Sequence, residues 1–267
     1  MTETTIAVLG LGEAGAAFVL DLVAAGAVVR GYDPAVTAPE GVIDCTDEAD
    51  AVHTAELILS LNRASAAITA FQAAADQVSP GAVWADLNTA DPGLERTLGS
   101  QAAGRGITFA DVSIMAPVPG RGLSTPMLAS GPGARDVARL LGMYGATVTV
   151  LDGQPGAAAE RKLLRSVFYK GMSAAVVEAL GAARVLGLED WLTDVITEEL
   201  TTSGAHSVER IVTGTNRHAG RRADEMEAAA KMLADLGVDH DVADASAVLL
   251  RKIIARSRPT SNRDLDA

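Results

Sequence analysis

The amino-acid sequence predicts an α/β domain, built on a doubly wound parallel sheet, followed by an all-α domain. Two observations predict this fold class. Short runs rich in β-branched residues alternate with alanine-rich helical stretches over the first half of the chain. After the turn-forming segment 153–156, only helical periodicity continues and no further strand is evident. The expected domains are therefore residues 1–152 and residues 153–267.

The first half contains seven predicted strands separated by breakers such as Pro80-Gly81. These strands are almost continuously apolar, as expected when helices cover both faces of a parallel sheet. The predicted strands are 6–9, 28–32, 57–61, 83–86, 108–112, 127–129 and 147–151. The predicted helices between them are 14–25, 63–77, 91–103 and 135–143.

The second half reads as a series of helices with apolar residues at helical spacing. The predicted helices are 157–186, 188–202, 206–212, 221–236 and 242–255. The first should be one long helix, although Gly171 and Gly181 both disfavour helix formation. The polar tail 256–267, which contains Pro259, is expected to be loosely held.

The composition excludes several classes of protein. With 48% hydrophobic residues and a mean hydropathy of +0.21, the chain can bury a core and is not intrinsically disordered. A net charge of −12 argues against electrostatic binding of nucleic acid. No apolar run reaches the roughly 20 residues of a membrane span. The single cysteine, Cys45, and an N-terminus without a basic segment favour a cytoplasmic protein.

A glycine motif directly follows the first predicted strand and opens the first predicted helix. It has the form G-x-G-x-x-G and consists of Gly10, Leu11, Gly12, Glu13, Ala14 and Gly15. In this context the first glycine permits a tight turn, the second admits a pyrophosphate, and the third allows close packing of helix on strand. The helix N-terminus then faces the phosphates. The first domain is therefore predicted to be a Rossmann-type dinucleotide-binding domain.

An acidic residue at the end of the second strand indicates which dinucleotide is bound. Asp33 lies 21 residues after Gly12, near the spacing at which a carboxylate accepts hydrogen bonds from the adenosine ribose. A carboxylate at this place repels a 2′-phosphate. The sequence thus favours NAD, with NADP as the alternative.

The glycine motif and the all-helical second half together resemble the β-hydroxyacid dehydrogenase superfamily. This group includes 3-hydroxyisobutyrate and 6-phosphogluconate dehydrogenases, with imine reductases as close relatives. The segment 217–226 resembles a C-terminal domain of uncharacterised function found on some members. The resemblance implies a nicotinamide-dependent oxidoreductase that acts on a small hydroxy acid or a related anionic alcohol. The apolar faces of the C-terminal helices are too extensive for this short segment to cover, so they predict a homodimer.

The resemblance implies a catalytic lysine early in the interdomain helix, six residues after a glycine. Gly156 and Lys162 have this spacing, and Lys162 is the first of only four lysines in the chain. A lysine there can exchange a proton with the substrate hydroxyl as hydride moves. Ser166 and Lys170 follow at four-residue steps, so the resemblance places them along one helix stripe for substrate binding.

The family's substrate wall, D-x-P-x-S-G-G, is altered in this chain. Asp111 matches, but Ser113 stands at the proline position and Met115 replaces the serine. Ala116 and Pro117 replace the glycines, so the usual grip on a carboxylate is lost. Ser113 and Met115 remain candidate substrate-binding residues, Met115 either as an apolar wall or as core.

Loop residues at other strand ends complete the candidate site. Leu61 and Asn62 lie at the end of the predicted strand 57–61 and are expected to contact the cofactor, as the corresponding loop of the family does. The loop Leu87-Asn88-Thr89 follows the next strand, in the place of the family's S-T pair, and should approach the nicotinamide, although Asn88 could instead cap a turn. The basic cluster His218, Arg221 and Arg222 either caps a helix, binds a partner segment or reaches a substrate anion.

Other chemistries compete with the dehydrogenase hypothesis. The four histidines and Cys45 have no metal-ligand spacing, and so no metal is expected. Among enzyme activities, imine reduction is the alternative to alcohol oxidation, although Lys162 favours alcohol chemistry. From a different class, the protein could bind NAD(P) as a sensor without turnover, because its substrate segment is altered.

Overall fold

The computed structural model describes residues 4–257. The chain divides into two compact units, Met1–Arg165 and Ser166–Ala267. The predicted domain boundary at residue 152 stays a prediction. Most of the expected loose tail lies outside the described residues, but Arg256 and Ser257 belong to the last helix.

The first unit is built on an eight-stranded sheet of order β3-β2-β1-β4-β5-β6-β7-β8. Its strands are β1 Thr5–Leu9, β2 Val28–Tyr32, β3 Ile43–Asp44, β4 Leu57–Ser60, β5 Val83–Asp86, β6 Thr108–Ile114, β7 Met127–Ser130 and β8 Val148–Val150. The helices between them are α1 Glu13–Ala24, α2 Glu48–Val52, α3 Ala67–Ala74, α4 Pro92–Gly104 and α5 Ala134–Gly142. This arrangement confirms the predicted α/β class.

Alternation along the strands fills a hydrophobic core on each face of the sheet. In β1, Ile6 and Val8 pack on one side with Phe18 of α1. Ala7 and Leu9 point to the opposite side, where Phe71 and Trp84 are fully buried. Successive strand side chains face opposite ways, so a strand buried on both sides must be apolar throughout.

One pair of strands departs from the parallel arrangement. β7 runs antiparallel to β6, with Asp111 opposite Ser130. The connecting segment 115–126 contains only a short turn of 3₁₀-helix. Because a parallel neighbour needs a long crossover, this short connection leaves the antiparallel pairing as the accessible one.

The sequence analysis missed two short elements beside β2. β3 has two residues, and α2 has five, with its N-terminus capped by the Asp47 carboxylate. Neither is long enough to show a hydrophobic period.

The second unit is helical. Four helices follow the sheet: α6 Ala157–Val185, α7 Glu189–Thr202, α8 Ser207–Asp235 and α9 Asp241–Ser257. α6 is continuous through Gly171, as predicted, and its last part belongs to this unit. The two predicted helices at 206–212 and 221–236 are both present in α8, where they meet at a kink at His218, whose φ and ψ angles of −118° and 20° are not helical. Both helices extend closer to the kink than predicted, although Gly214 and Gly220 disfavour helix formation.

Candidate functional site

The glycine loop lies where the strand order reverses, between β1 and β4. Gly10 has a φ of +101°, and a Cβ on it would stand 2.5 Å from the Leu61 carbonyl oxygen. A Cβ on Gly15 would come within 1.9 Å of the Gly10 carbonyl oxygen. Both positions therefore require glycine, since the loop passes close to the end of β4 and α1 packs tightly on the loop.

Gly12 differs from the other two glycines because open space adjoins it. A Cβ on Gly12 would meet no atom within 4 Å, although this residue is the N-cap of α1. No side chain caps the first turn of α1, which leaves its N–H groups facing that space. An uncapped helix N-terminus beside a glycine is suited to bind a pyrophosphate.

Asp33 ties the end of β2 to the glycine loop. Its Oδ2 accepts a hydrogen bond from the Leu11 N–H at 2.8 Å, and its Oδ1 accepts from Ala35 and Val36 at 2.9 and 3.1 Å. These bonds use three of roughly four acceptor positions on a carboxylate. The remaining one is available to a ribose hydroxyl.

Lys162 reaches the loop that follows β5. Its Nζ donates a hydrogen bond to the Thr89 Oγ1 at 2.9 Å. Lys162 lies in the second turn of α6, and Gly156 precedes that helix with a φ of +103°. A Cβ on Gly156 would stand 2.8 Å from the Pro92 carbonyl oxygen, so the glycine of the G-x-x-x-x-x-K motif allows α6 to start close to α4.

Asn88, beside Thr89, is held by a buried polar network. Its Nδ2 donates to the Asp86 Oδ2 at 3.0 Å and to the Ser60 Oγ at 3.1 Å. Burial raises the pKa of Asp86 to about 6, against the opposing effect of these hydrogen bonds. The Asn88 Oδ1 is buried and has no partner among the described residues, so it can accept from a donor on a bound molecule.

Two further carboxyl groups, those of Glu95 and Asp111, are buried and interact electrostatically with Asp86. Glu95 is 1% exposed, and neither of its carboxyl oxygens has a hydrogen-bond partner among the described residues. Burial and the nearby charges of Asp86, Asp111 and Asp91 raise the pKa of Glu95 to about 10, which Lys162 partly opposes. Glu95 is therefore an uncharged acid at neutral pH.

Asp111 is buried but well supplied with donors. Its Oδ2 accepts hydrogen bonds from Ser130 and from the backbone at the start of α6. Burial raises the pKa of Asp111 above its usual value, and these bonds counteract part of the effect.

The remaining predicted residues of the first unit occupy different settings. Ser113 is 1% exposed within β6, whereas Met115 is half-buried in the segment after that strand. Asn62 is half-buried, and its Nδ2 donates weakly to the Ser60 Oγ at 3.4 Å. Glu13 and Ala14 form the first turn of α1.

The predicted residues of the second unit are Ser166, Lys170 and the basic cluster. Ser166 is half-buried and Lys170 is exposed. In the cluster, Arg221 pairs with Glu225 at 3.4 Å, and the Arg222 Nη1 donates to the Thr215 Oγ1 at 2.5 Å.

Residues 4–257 lack both a metal-binding cluster and a membrane-spanning helix. No group of three or more histidine, cysteine, aspartate or glutamate side chains is placed to hold a metal ion. None of the described helices combines the length and apolar character needed to cross a membrane.

Comparison with known families decides the classification. Residues 5–153 match the family described as the NAD binding domain of 6-phosphogluconate dehydrogenase. A probable 3-hydroxyisobutyrate dehydrogenase of Mycobacterium tuberculosis is 30% identical over 208 residues, which cover 73% of this chain and 69% of that protein. The chain belongs to the β-hydroxyacid dehydrogenase superfamily.

Other relatives of this superfamily member include proteins without an assigned function. Residues 183–253 match a domain of unknown function, DUF1932. An uncharacterised 28.5 kDa protein of Methanothermus fervidus is 29% identical over 100 residues, which span 38% of this chain and 39% of that protein.

Solved structures that resemble this protein cover almost its whole chain. A conserved hypothetical protein from Sinorhizobium meliloti covers 99% of this chain and 92% of its own, with 28% identity and a TM-score of 0.61. An imine reductase from Myxococcus stipitatus, solved with NADP⁺, covers 95% of each chain with 20% identity and a TM-score of 0.79. A variant of that enzyme was solved with NAD⁺. At this identity the likeness concerns the fold.

The family match and the open space at Gly12 identify the first unit as an NAD(P)-binding domain. Sequence reasoning did not single out Asp86 or Glu95. Thr89 belongs to the loop 87–89, which the resemblance predicts near the nicotinamide. Asp86 and Glu95 are buried carboxyl groups, and nothing in the sequence pattern distinguishes them from exposed acids.

Proposed function

We propose that this protein transfers a hydride between NAD and the hydroxyl-bearing carbon of a small anionic hydroxy acid or related alcohol, with Lys162 as general acid/base. The observation that carries the proposal is the 2.9 Å contact of the Lys162 Nζ with Thr89, in the unit that holds the glycine loop. A lysine beside a strand-end loop of the dinucleotide-binding unit can exchange a proton with a substrate as hydride moves, which supports the proposal.

The proton step assigned to Lys162 is an exchange with substrate oxygen. In oxidation, the neutral amine takes the hydroxyl proton as the carbonyl forms; in reduction, the ammonium returns it. A bound nicotinamide supplies the hydride acceptor or donor. The Asn88 network, anchored by Asp86, keeps the loop that bears Thr89 in place.

The residues assigned to cofactor binding divide by the part of NAD they would hold. Gly10, Gly12 and Gly15, with the first turn of α1, are assigned to the pyrophosphate. Asp33 is assigned to the adenosine ribose and to selection against NADP. Leu61 and Asn62, at the end of β4, complete this group. Leu11, Glu13 and Ala14 lie in the same loop and first turn and are assigned to the pyrophosphate with the glycines.

The substrate assignment rests on charge and on the altered wall. Lys170 adds a positive charge that suits a carboxylate or phosphate, and Ser166 adds a hydroxyl donor. Ser113 and Met115, which belong to the altered segment of the family pattern, are also assigned to substrate binding. Since the family's serine and glycines are absent at 115–117, we do not expect 3-hydroxyisobutyrate itself to be the preferred substrate.

Imine reduction is the second candidate function. The fold likeness to an imine reductase at a TM-score of 0.79 favours it. Lys162 itself favours alcohol chemistry, because the imine-reducing relatives commonly lack a lysine at this place. Reduction of a cyclic imine at rates above those of every keto acid tested would decide for the second candidate.

We also propose that the protein is a homodimer in the cytoplasm. Trp191 and Val208 are 61% and 72% exposed, which is typical of an apolar surface covered by a partner. The single cysteine suits a reducing compartment.

The direct test is nicotinamide turnover with a panel of hydroxy acids, sugar acids and phosphorylated alcohols, each with NAD and NADP. The proposal expects one class of anionic alcohol to react with NAD. Tight binding of NAD with no reaction on a panel widened to imines would favour a sensor instead.

A further inference from the structure

The position of Lys162 depends on where α6 begins. The helix starts at Ala157, so Lys162 is its sixth residue and follows the first turn closely. A shift of the first turn on the sheet would move the Lys162 Nζ away from Thr89. Misplacement of a reacting group by about 1 Å can cost on the order of 100-fold in rate.

One carboxylate oxygen accepts hydrogen bonds from several backbone groups at the start of this helix. The Asp111 Oδ2 accepts hydrogen bonds from the backbone N–H groups of Gly156 at 2.9 Å, Ala158 at 3.0 Å and Ala159 at 3.1 Å. It also accepts from the Ser130 Oγ at 3.0 Å. These backbone N–H groups are donors that a helix cannot satisfy internally, and an anion there is favoured by the helix dipole.

The sheet holds this oxygen firmly. Asp111 lies in β6, opposite Asp86 of β5 on one side and opposite Ser130 of β7 on the other. Asp111 is 2% exposed and Ser130 is fully buried. The Ser130 Oγ in turn accepts a hydrogen bond from the Ala158 N–H at 3.1 Å, which makes a second link from the sheet to the helix.

We propose that Asp111 is a positioning residue for the reaction: its carboxylate fixes the first turn of α6 to β6 and thereby sets where the Lys162 Nζ stands. The chemical consequence rests on the proposed function, whereas the placement of Lys162 does not. Asp111 acts through the helix and contacts neither substrate nor cofactor in this role.

The test compares Asp111→Asn with the milder Ser130→Ala in the full-length protein. Asp47→Asn is the matched control, because Asp47 also caps a helix, α2, within the first unit. Reductive methylation with ¹³C-formaldehyde gives each of the four lysines an NMR signal, and Lys162→Arg assigns the signal of Lys162. NAD affinity, kcat and KM are measured on the same variants.

We expect the Lys162 signal to shift and broaden in Asp111→Asn, less so in Ser130→Ala, and not in Asp47→Asn. The kcat should fall about 10- to 100-fold in Asp111→Asn while NAD affinity is retained, because the glycine loop is untouched. A merely structural role would weaken NAD binding and turnover together.

An unmoved Lys162 signal in folded Asp111→Asn overturns the proposal. If that variant does not fold, Ser130→Ala decides by the same signal. Turnover that survives in Lys162→Met contradicts the proposed function instead, and the signal of Lys162 in Asp111→Asn still tests the positioning.

Discussion

A carboxyl group buried without a hydrogen-bond donor must either stay protonated or destabilise the fold, and Glu95 is such a group. Its pKa is near 10 in the folded protein and has an ordinary value near 4.5 in the unfolded chain. The folded state therefore holds a proton that the unfolded state releases between these two values. The stability associated with Glu95 is complete below pH 4.5 and is lost as pH rises towards 10.

Glu95→Gln should consequently stabilise the protein, and more so at higher pH. Loss of this one proton linkage changes the free energy of unfolding by up to about 1.4 kcal/mol per pH unit. Urea denaturation between pH 5 and pH 9, a range that lies between the two pKa values, measures the difference in free energy of unfolding between the variant and the wild type. The exposed Glu209→Gln is the control. A Gln variant that is less stable than the wild type at every pH would mean that Glu95 is ionised and paired.

Asp33 carries the expected selectivity for NAD. Asp33→Ser removes the negative charge that opposes a 2′-phosphate, so the preference for NAD over NADP should fall at least about tenfold. Titration of both dinucleotides, followed by protein fluorescence, measures this preference, with the half-buried Asp136→Asn on α5 as control. An unchanged preference would remove Asp33 from this role.

At the scale of single elements, two glycines of the loop have different roles, one in binding and the other in folding. Gly12→Ala should leave stability nearly unchanged, since its Cβ enters open space, yet it should weaken NAD binding by occupying the pyrophosphate position. Gly15→Ala should lower the free energy of unfolding by several kcal/mol, on the order of the effect of a severe core clash. The reason is that its Cβ would overlap the Gly10 carbonyl oxygen. Thermal melts with and without NAD distinguish the two effects. Equal losses of stability would contradict this division.

The elements also show which features a sequence can predict. α1 and β1 were predictable because a buried strand, a glycine motif and an alanine-rich helix agree in one short stretch. β3 and α2 were not, since they are too short for a period. The two helices that meet at the kink at His218 were predictable, but their inner ends were not, because the glycines and polar residues at 213–220 have low helix propensity throughout.

The site follows the same division. The spacing of Gly156 and Lys162 was visible in the sequence, and so was the loop that bears Asn88. The contact with Thr89 and the attachment of α6 to Asp111 depend on strand register, which brings residues more than 40 positions apart to one place. Such pairings have no local sequence signature.

At the scale of the whole molecule, the proposed homodimer would cover exposed apolar side chains of the helical unit. We expect a dimer by sedimentation equilibrium. Acrylamide should quench Trp191 fluorescence less as protein concentration rises, whereas the fully buried Trp84 should respond little at any concentration. A concentration-independent monomer with freely quenched Trp191 would contradict the proposed homodimer.

The central claim is that Lys162 handles the proton while NAD handles the hydride. The most direct measurement is turnover of the best anionic alcohol from the panel by the wild type and by Lys162→Met, with NAD affinity determined for both. We predict that Lys162→Met binds NAD like the wild type and loses on the order of 100-fold or more in kcat. Turnover at the wild-type rate in a variant that binds NAD equally well would contradict the account.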